Sequence, residues 1–377
     1  MDLDLSEEQQ VLRDMVRALL AEHCPIERVR ALEDDETGYA PELWSRLGEL
    51  GIVGMRLPEA HGGGGRSLLD AVVVYEELGR ALAPTPHFPS AVMAGAALLA
   101  GGSEAQRSTW LPGIASGAVI VAPAWLEPDG SYRPQGIRLR ATPEGDGFRL
   151  DGVKRHVSFG AAASQLLVLA RTGSAPEAID LFLVDAASPG VTLHQQRAMA
   201  SDAQFRVELD GVRVSAGSRV GAAGTGFATW ERAMLEGVVL LAAQAMGGAA
   251  RALELTVDYA KQREQFDRPI GAFQAISHYL ADASTKIAGG LTLAYEAAWA
   301  HDVGRPIDRL APMAKLFACQ TYRETTAMCQ QVWGGVGFTV DYDIQLYFRR
   351  AKQLELSWWD SRTLEERIAA HALDGGE

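Results

Sequence analysis

Two carboxylates, a side-chain type able to take up a proton, border apolar or aromatic stretches. Glu236 ends the polar segment ERAMLE and opens the apolar run GVVLLAAQAMGGAA, Gly237 to Ala250. A carboxylate at the edge of a buried helix is costly without a reason. Asp360 follows the pair Trp358–Trp359 in AKQLELSWWDSR. Its short side chain, in a turn before a last helix, suits an N-cap better than chemistry, and the two tryptophans suit a core or the floor of a pocket. Cys24, Cys319 and Cys329 have neither metal-ligand spacing nor a nucleophile's partner, so they read as small buried hydrophobes and no metal site is expected. The loop LPEAHGGGGRS, Leu57 to Ser67, departs from the spacing of dinucleotide and P-loop fingerprints, and a flexible connection is predicted there.

Three zones must position these groups. Residues 1–117 read as helical. Ser6 and Gln9 form a capping box, and Val11, Leu12, Met15, Val16, Leu19 and Leu20 recur at helical spacing. Further amphipathic stretches cover Pro41–Leu50 and Leu68–Leu82. In residues 118–220 the period changes to two. Seven short runs, from AVIVAPAWLE to AQFRVELDGVRV, are separated by Gly, Pro, Asp and Ser, which predicts a small β-barrel or sandwich. Residues 221–377 return to helical periodicity, with one long helix over Thr229–Phe266 and breaks at Gly304–Pro306 and Gly334–Phe338. The predicted class is α+β multidomain: an N-terminal helical domain, a middle β domain and a C-terminal four-helix bundle.

With 47% hydrophobic and 22% charged residues the chain should fold rather than remain disordered. A net charge of -13 without a basic run argues against nucleic acid and anionic membrane as partners. MDLDLSEEQQ lacks the features of a signal peptide and the longest apolar run is too short to span a bilayer, so a cytoplasmic protein is expected.

The order of zones and three local strings resemble the acyl-CoA dehydrogenase family over essentially the whole chain. YAKQREQFDRPIGAFQAISHYLADA, Tyr259 to Ala283, is similar to the family's Arg-x-x-Phe followed by a Phe-Gln pair. QVWGGVGF, Gln331 to Phe338, is similar to Gln-x-x-Gly-Gly-x-Gly-Phe. In DGVKRHVSFG, Lys154, Ser158 and Gly160 fall on Gly-x-Lys-x-x-Ile-Thr-x-Gly. The resemblance implies FAD as cofactor, an acyl-CoA substrate and an electron-transfer flavoprotein as acceptor. It also implies self-association, or association with a homologous partner subunit, as a dimer or dimer of dimers. Arg263, Phe266, Phe273 and Gln274, with Gln331, Gly334 and Gly335, would reach the ADP part of FAD bound mainly by a neighbour. Leu126, His156 and Ser158 would lie against the flavin ring, and Ser131 and Trp359 on the substrate side.

The chain departs from the family in two places. In WLEPDGSYRP, Leu126 replaces a threonine and Tyr132 an aspartate; the Leu126 amide could still donate to the ring. The family's usual C-terminal glutamate aligns with Trp359. Members that carry the base on the first helix of the bundle have it where Gly237 aligns, one residue or about 100° of helix from Glu236. Glu236 is the first candidate base and Asp360 the second. Three functions are compatible with this pattern: a dehydrogenase, a non-catalytic partner subunit of a heteromeric dehydrogenase, or an oxidase or monooxygenase on the same scaffold.

Overall fold

The computed structural model describes residues 4–373. Helices precede and follow an eight-stranded mixed β-sheet, which is the architecture expected from the periodicities. The seven alternating runs each contain a strand: β1 (Val121–Ala124), β2 (Arg140–Glu144), β3 (Gly147–Ser158), β4 (Gln165–Arg171), β5 (Ile179–Asp185), β6 (Val191–Gln196) and β7 (Gln204–Ser215). A two-residue β8 (Arg219–Val220) follows. The order is β6-β7-β3-β2-β4-β5-β8, with β1 parallel beside β4. The β3–β7 register shifts twice, between Leu150 and Gly152 and between Lys154 and Val157. An extra residue in one strand re-aims the side chains beyond it.

By contact the chain forms two compact units that cut across the sequence zones. One takes residues 30–66 and 84–237 and contains the sheet. It also contains helices without an amphipathic signature, Gly95–Gly101 and Glu104–Ser116, and a π-helical segment, Phe88–Ala94, in which every residue is buried. A segment buried on all sides has no polar face for periodicity to reveal.

The other unit takes residues 4–29, 67–83 and the described part of 238–377. Helix Leu68–Arg80 packs on both Glu7–His23 and Gln274–Asp302. Ser67 supplies its capping box, and Asp302 accepts the amides of Leu68 and Leu69 at 2.9 and 3.0 Å, so its orphan N–H groups are satisfied from a distant segment. The Ser6–Gln9 box is also formed. The long helix runs over Gly226–Gln262 rather than to Phe266. It stops because Phe266 and Asp267 take left-handed conformations, φ 53° and 60°, and fold the next residues into a hairpin of Glu264–Gln265 with Arg268–Pro269. By length and composition alone this helix could cross a membrane, but 78% of its most apolar window is buried, as in a core helix.

Candidate functional site

In the sheet-containing unit, the loop that joins β1 to β2 is pinned by a buried ion pair. Glu127 Oε1 accepts from Lys154 Nζ at 2.7 Å and from the amides of Arg138 and Leu139, each at 2.9 Å. Lys154 Nζ also reaches Trp125 O at 3.3 Å, and Arg155 N donates to Leu126 O at 2.8 Å. The lysine has no exposed surface, and burial pushes its pKa down to about 8 against the opposing pull of Glu127. Leu126 is therefore bracketed on both sides by fixed backbone, with its side chain inside. Ser131, further along the loop, is half-buried and accepts from Arg133 N at 3.3 Å.

The register shift in β3 puts His156 into a left-handed conformation, φ 54°. Its amide donates to Gln196 Oε1 at 3.0 Å, and its Nδ1 lies 2.7 Å from Gln204 Oε1. Gln204 Nε2 is already engaged with Asp202, so its Oε1 accepts and Nδ1 carries the proton. His156 is exposed with its ring orientation locked, and Ser158 ends the same strand half-buried.

Glu236 lies in this unit with its side chain 28% exposed, and its Oε2 is 3.0 Å from Arg56 Nη2. Arg56 Nη1 donates to Arg66 O at 2.8 Å, so the guanidinium joins Glu236 to the far end of the glycine-rich loop. At Gly237 a Cβ would lie 2.8 Å from Met93 Sδ and 3.1 Å from Phe88 Cζ. No side chain fits there unless those residues move.

In the helical unit Asp360 is an N-cap: its Oδ1 accepts from Thr363 N at 2.9 Å at the start of helix Ser361–Leu373. Glu355, in the same stretch, is 7% exposed and paired with Arg323 at 2.9 Å and Lys352 at 2.6 Å. Trp359 is 1% exposed, with the Arg367 guanidinium 3.8 Å from its ring centroid. Of the two indoles, only that of Trp358 keeps appreciable exposed surface. All three cysteines are buried, as expected, and among the described residues no cluster of metal-ligating side chains occurs.

The same unit gathers the groups expected to meet a nucleotide. Arg263 follows the long helix, exposed, and no carboxylate pairs with its guanidinium among the described residues. Phe266 is 87% exposed at the hairpin tip, edge-on to Phe273, whose ring is also covered by Arg268 at 4.0 Å. Gln274 begins the next helix, exposed, and Gln331 is exposed in the last turn of Leu310–Trp333. Tyr259 stacks on Trp333 with centroids 4.2 Å apart, and Trp333 Nε1 donates to Thr256 Oγ1 at 3.1 Å. That stack ties the Gly334–Gly335 turn to the end of the long helix. Gly334 has φ 68°, and a Cβ at either glycine would meet nothing within 4 Å. An uncommitted guanidinium, exposed amides and open backbone suit the phosphates of a dinucleotide, so these residues fit FAD.

Lys154 and Glu127 lie within the quoted strings DGVKRHVSFG and WLEPDGSYRP, but nothing in those strings shows their pairing. Arg56 and the Tyr259–Trp333 stack carried no signal in the sequence. The fold and these residues together fit a flavin-dependent oxidoreductase. Family models for the acyl-CoA dehydrogenase N-terminal, middle and C-terminal domains match residues 6–118, 122–212 and 224–370, and the chain belongs to the acyl-CoA dehydrogenase family. It is an FAD-dependent oxidoreductase acting on CH–CH bonds. The acyl-CoA dehydrogenase FadE27 of Mycobacterium tuberculosis is 33% identical, with 95% of each chain covered. Among solved structures, the ChsE4–ChsE5 complex from the same organism matches at TM-score 0.90 and 31% identity over 100% of both chains. Butyryl-CoA dehydrogenase from Megasphaera elsdenii matches at TM-score 0.92 and 27% identity, over 99% of this chain and 100% of that one.

Proposed function

We propose that this chain catalyses α,β-dehydrogenation of an acyl-CoA thioester to the trans-2-enoyl-CoA, and that the electrons go on to an electron-transfer flavoprotein. FAD supplies the acceptor for the hydride that leaves the β-carbon. The chain's residues bind, orient and move a proton. Arg263, Phe266, Phe273, Gln274, Gln331, Gly334 and Gly335 hold the ADP part of an FAD bound mainly by a neighbouring copy or a homologous subunit. The Leu126 amide, His156 and Ser158 orient the ring. Ser131 and the Trp358–Trp359 turn border the acyl thioester, and Glu236 accepts the α-proton at a carboxylate oxygen.

The observation that carries this reading is how the carboxylates are used. Asp360 is spent as a helix cap and Glu355 is buried under two cations, whereas Glu236 is partly exposed at the border of an apolar helix segment. As base it must part from Arg56 when substrate enters. Rapid mixing of the FAD-loaded chain with a panel of acyl-CoAs tests this. Glu236→Gln should slow flavin reduction by roughly 10²–10⁴-fold with FAD retained, and Asp360→Asn should leave it nearly unchanged; the reverse pattern refutes the assignment.

The same experiment examines a second reading, a non-catalytic partner subunit. Gly237 is crowded by Met93 and Phe88, and Trp359 is enclosed, so neither alternative family position of the base holds a carboxylate. No reduction by the unmodified, FAD-loaded chain across the panel, restored by a homologous subunit carrying a glutamate, would establish that role.

A further inference from the structure

The turn between helices Ile344–Leu356 and Ser361–Leu373 is held from inside by a cation. Lys315, on helix Leu310–Trp333, has no exposed surface. Its Nζ donates to Trp359 O at 2.7 Å, Ser357 O at 2.8 Å and Leu354 O at 3.2 Å. An ammonium has three protons, so its donor capacity is spent on backbone carbonyls alone. Cys319, Asp360 and Glu355 act on it only through space, and burial lowers its pKa. A buried ammonium without a carboxylate in contact is a costly arrangement, and a methionine would fill the same space without that cost.

What the arrangement secures is a conformation. Trp358 and Trp359 both have left-handed backbone, φ 54° and 71°, in a region where bulky residues are rare and glycine is the default. The three carbonyls bracket the pair, two before it and one at its end. The turn they enforce drives the Trp359 indole inward beneath Arg367, leaves Trp358 half-buried, and delivers Asp360 to its capping position.

We propose that Lys315 is a positioning residue for acyl-CoA binding: by gathering the carbonyls of Leu354, Ser357 and Trp359 it forces the left-handed Trp358–Trp359 turn, and that turn sets how tightly the thioester is held. The second half rests on the reading above that puts this turn beside the acyl group. Lys315→Met removes the donors at similar volume, and Lys315→Gln, which keeps two of them, serves if the methionine variant does not fold. Hydrogen exchange on the FAD-loaded protein reads residues 354–364 separately from the rest of the chain. Titration with butyryl-CoA and octanoyl-CoA, followed by the flavin spectrum, reads affinity. Exchange in that segment should quicken by about 10-fold or more with FAD content unchanged. Kd should rise by about 10-fold while the rate of flavin reduction at saturation stays within about 3-fold, the mark of lost uniform binding. Wild-type exchange in the folded variant overturns the proposal, because the turn then holds without the lysine. Quickened exchange with an unchanged Kd upholds the lysine's grip on the turn and overturns the turn's place at the acyl site.

Discussion

Lys154 and Glu127 should behave as one unit. Removing Glu127 in a Glu127→Leu variant leaves a fully buried ammonium with Trp125 O as its remaining partner and strips the Arg138 and Leu139 amides of their acceptor. Breaking a buried pair from one side costs about 3–5 kcal/mol. Lys154→Met should cost less, about 2–3 kcal/mol, because the carboxylate keeps its two amide donors. The double variant Lys154→Met/Glu127→Leu leaves only the two amides unpartnered. It should therefore cost less than the sum of the singles, with a coupling of about 2–3 kcal/mol. Urea unfolding followed by circular dichroism, in saturating FAD so that ligand linkage is equal, measures all four corners of the cycle. The lysine also has a pH signature. Its folded pKa of about 8 lies below the ordinary 10.5, so between those values the unfolded chain binds more protons and stability rises with pH. The rise is on the order of 3 kcal/mol in total, and Lys154→Met should abolish it. Additive single costs, or parallel pH profiles for wild type and Lys154→Met across that window, would refute the reasoning.

His87 should make the protein acid-sensitive: its ring is buried with Nε2 3.0 Å from Ile52 O, and burial lowers its pKa from 6.5 to about 4. Between those values the unfolded chain takes up the proton, so stability should fall with falling pH by on the order of 3 kcal/mol, and the fall should be absent in His87→Gln. Asp360→Ala should lose about 1 kcal/mol through the missing cap, visible as a lower Tm, while flavin reduction by acyl-CoA is unchanged. Gly237→Val should cost about 1–3 kcal/mol through overpacking against Met93 and Phe88; an unchanged urea midpoint would show that the contact yields freely.

What depends on neighbours in sequence was legible in sequence. The Ser6–Gln9 capping box, the seven alternating runs, the helix break at Gly304–Pro306 and the capping role of Asp360 all follow from residues within a few positions of one another. The family motifs are of the same kind, short strings in a set order, and they were enough to place the chain in its family. The state of each candidate side chain was decided only by tertiary structure. Glu236 finds Arg56 across 180 residues, Lys154 finds Glu127 across 27, and Lys315 reaches the Trp358–Trp359 turn across about 40. The sequence reads Asp360 as a cap in a turn but carries no sign of the left-handed backbone at Trp358 and Trp359, because that conformation is imposed by a cation on another helix. A buried lysine reads in sequence like any exposed one. Burial and partner choice are properties of packing, set by which distant surfaces close on one another, and no local pattern encodes them.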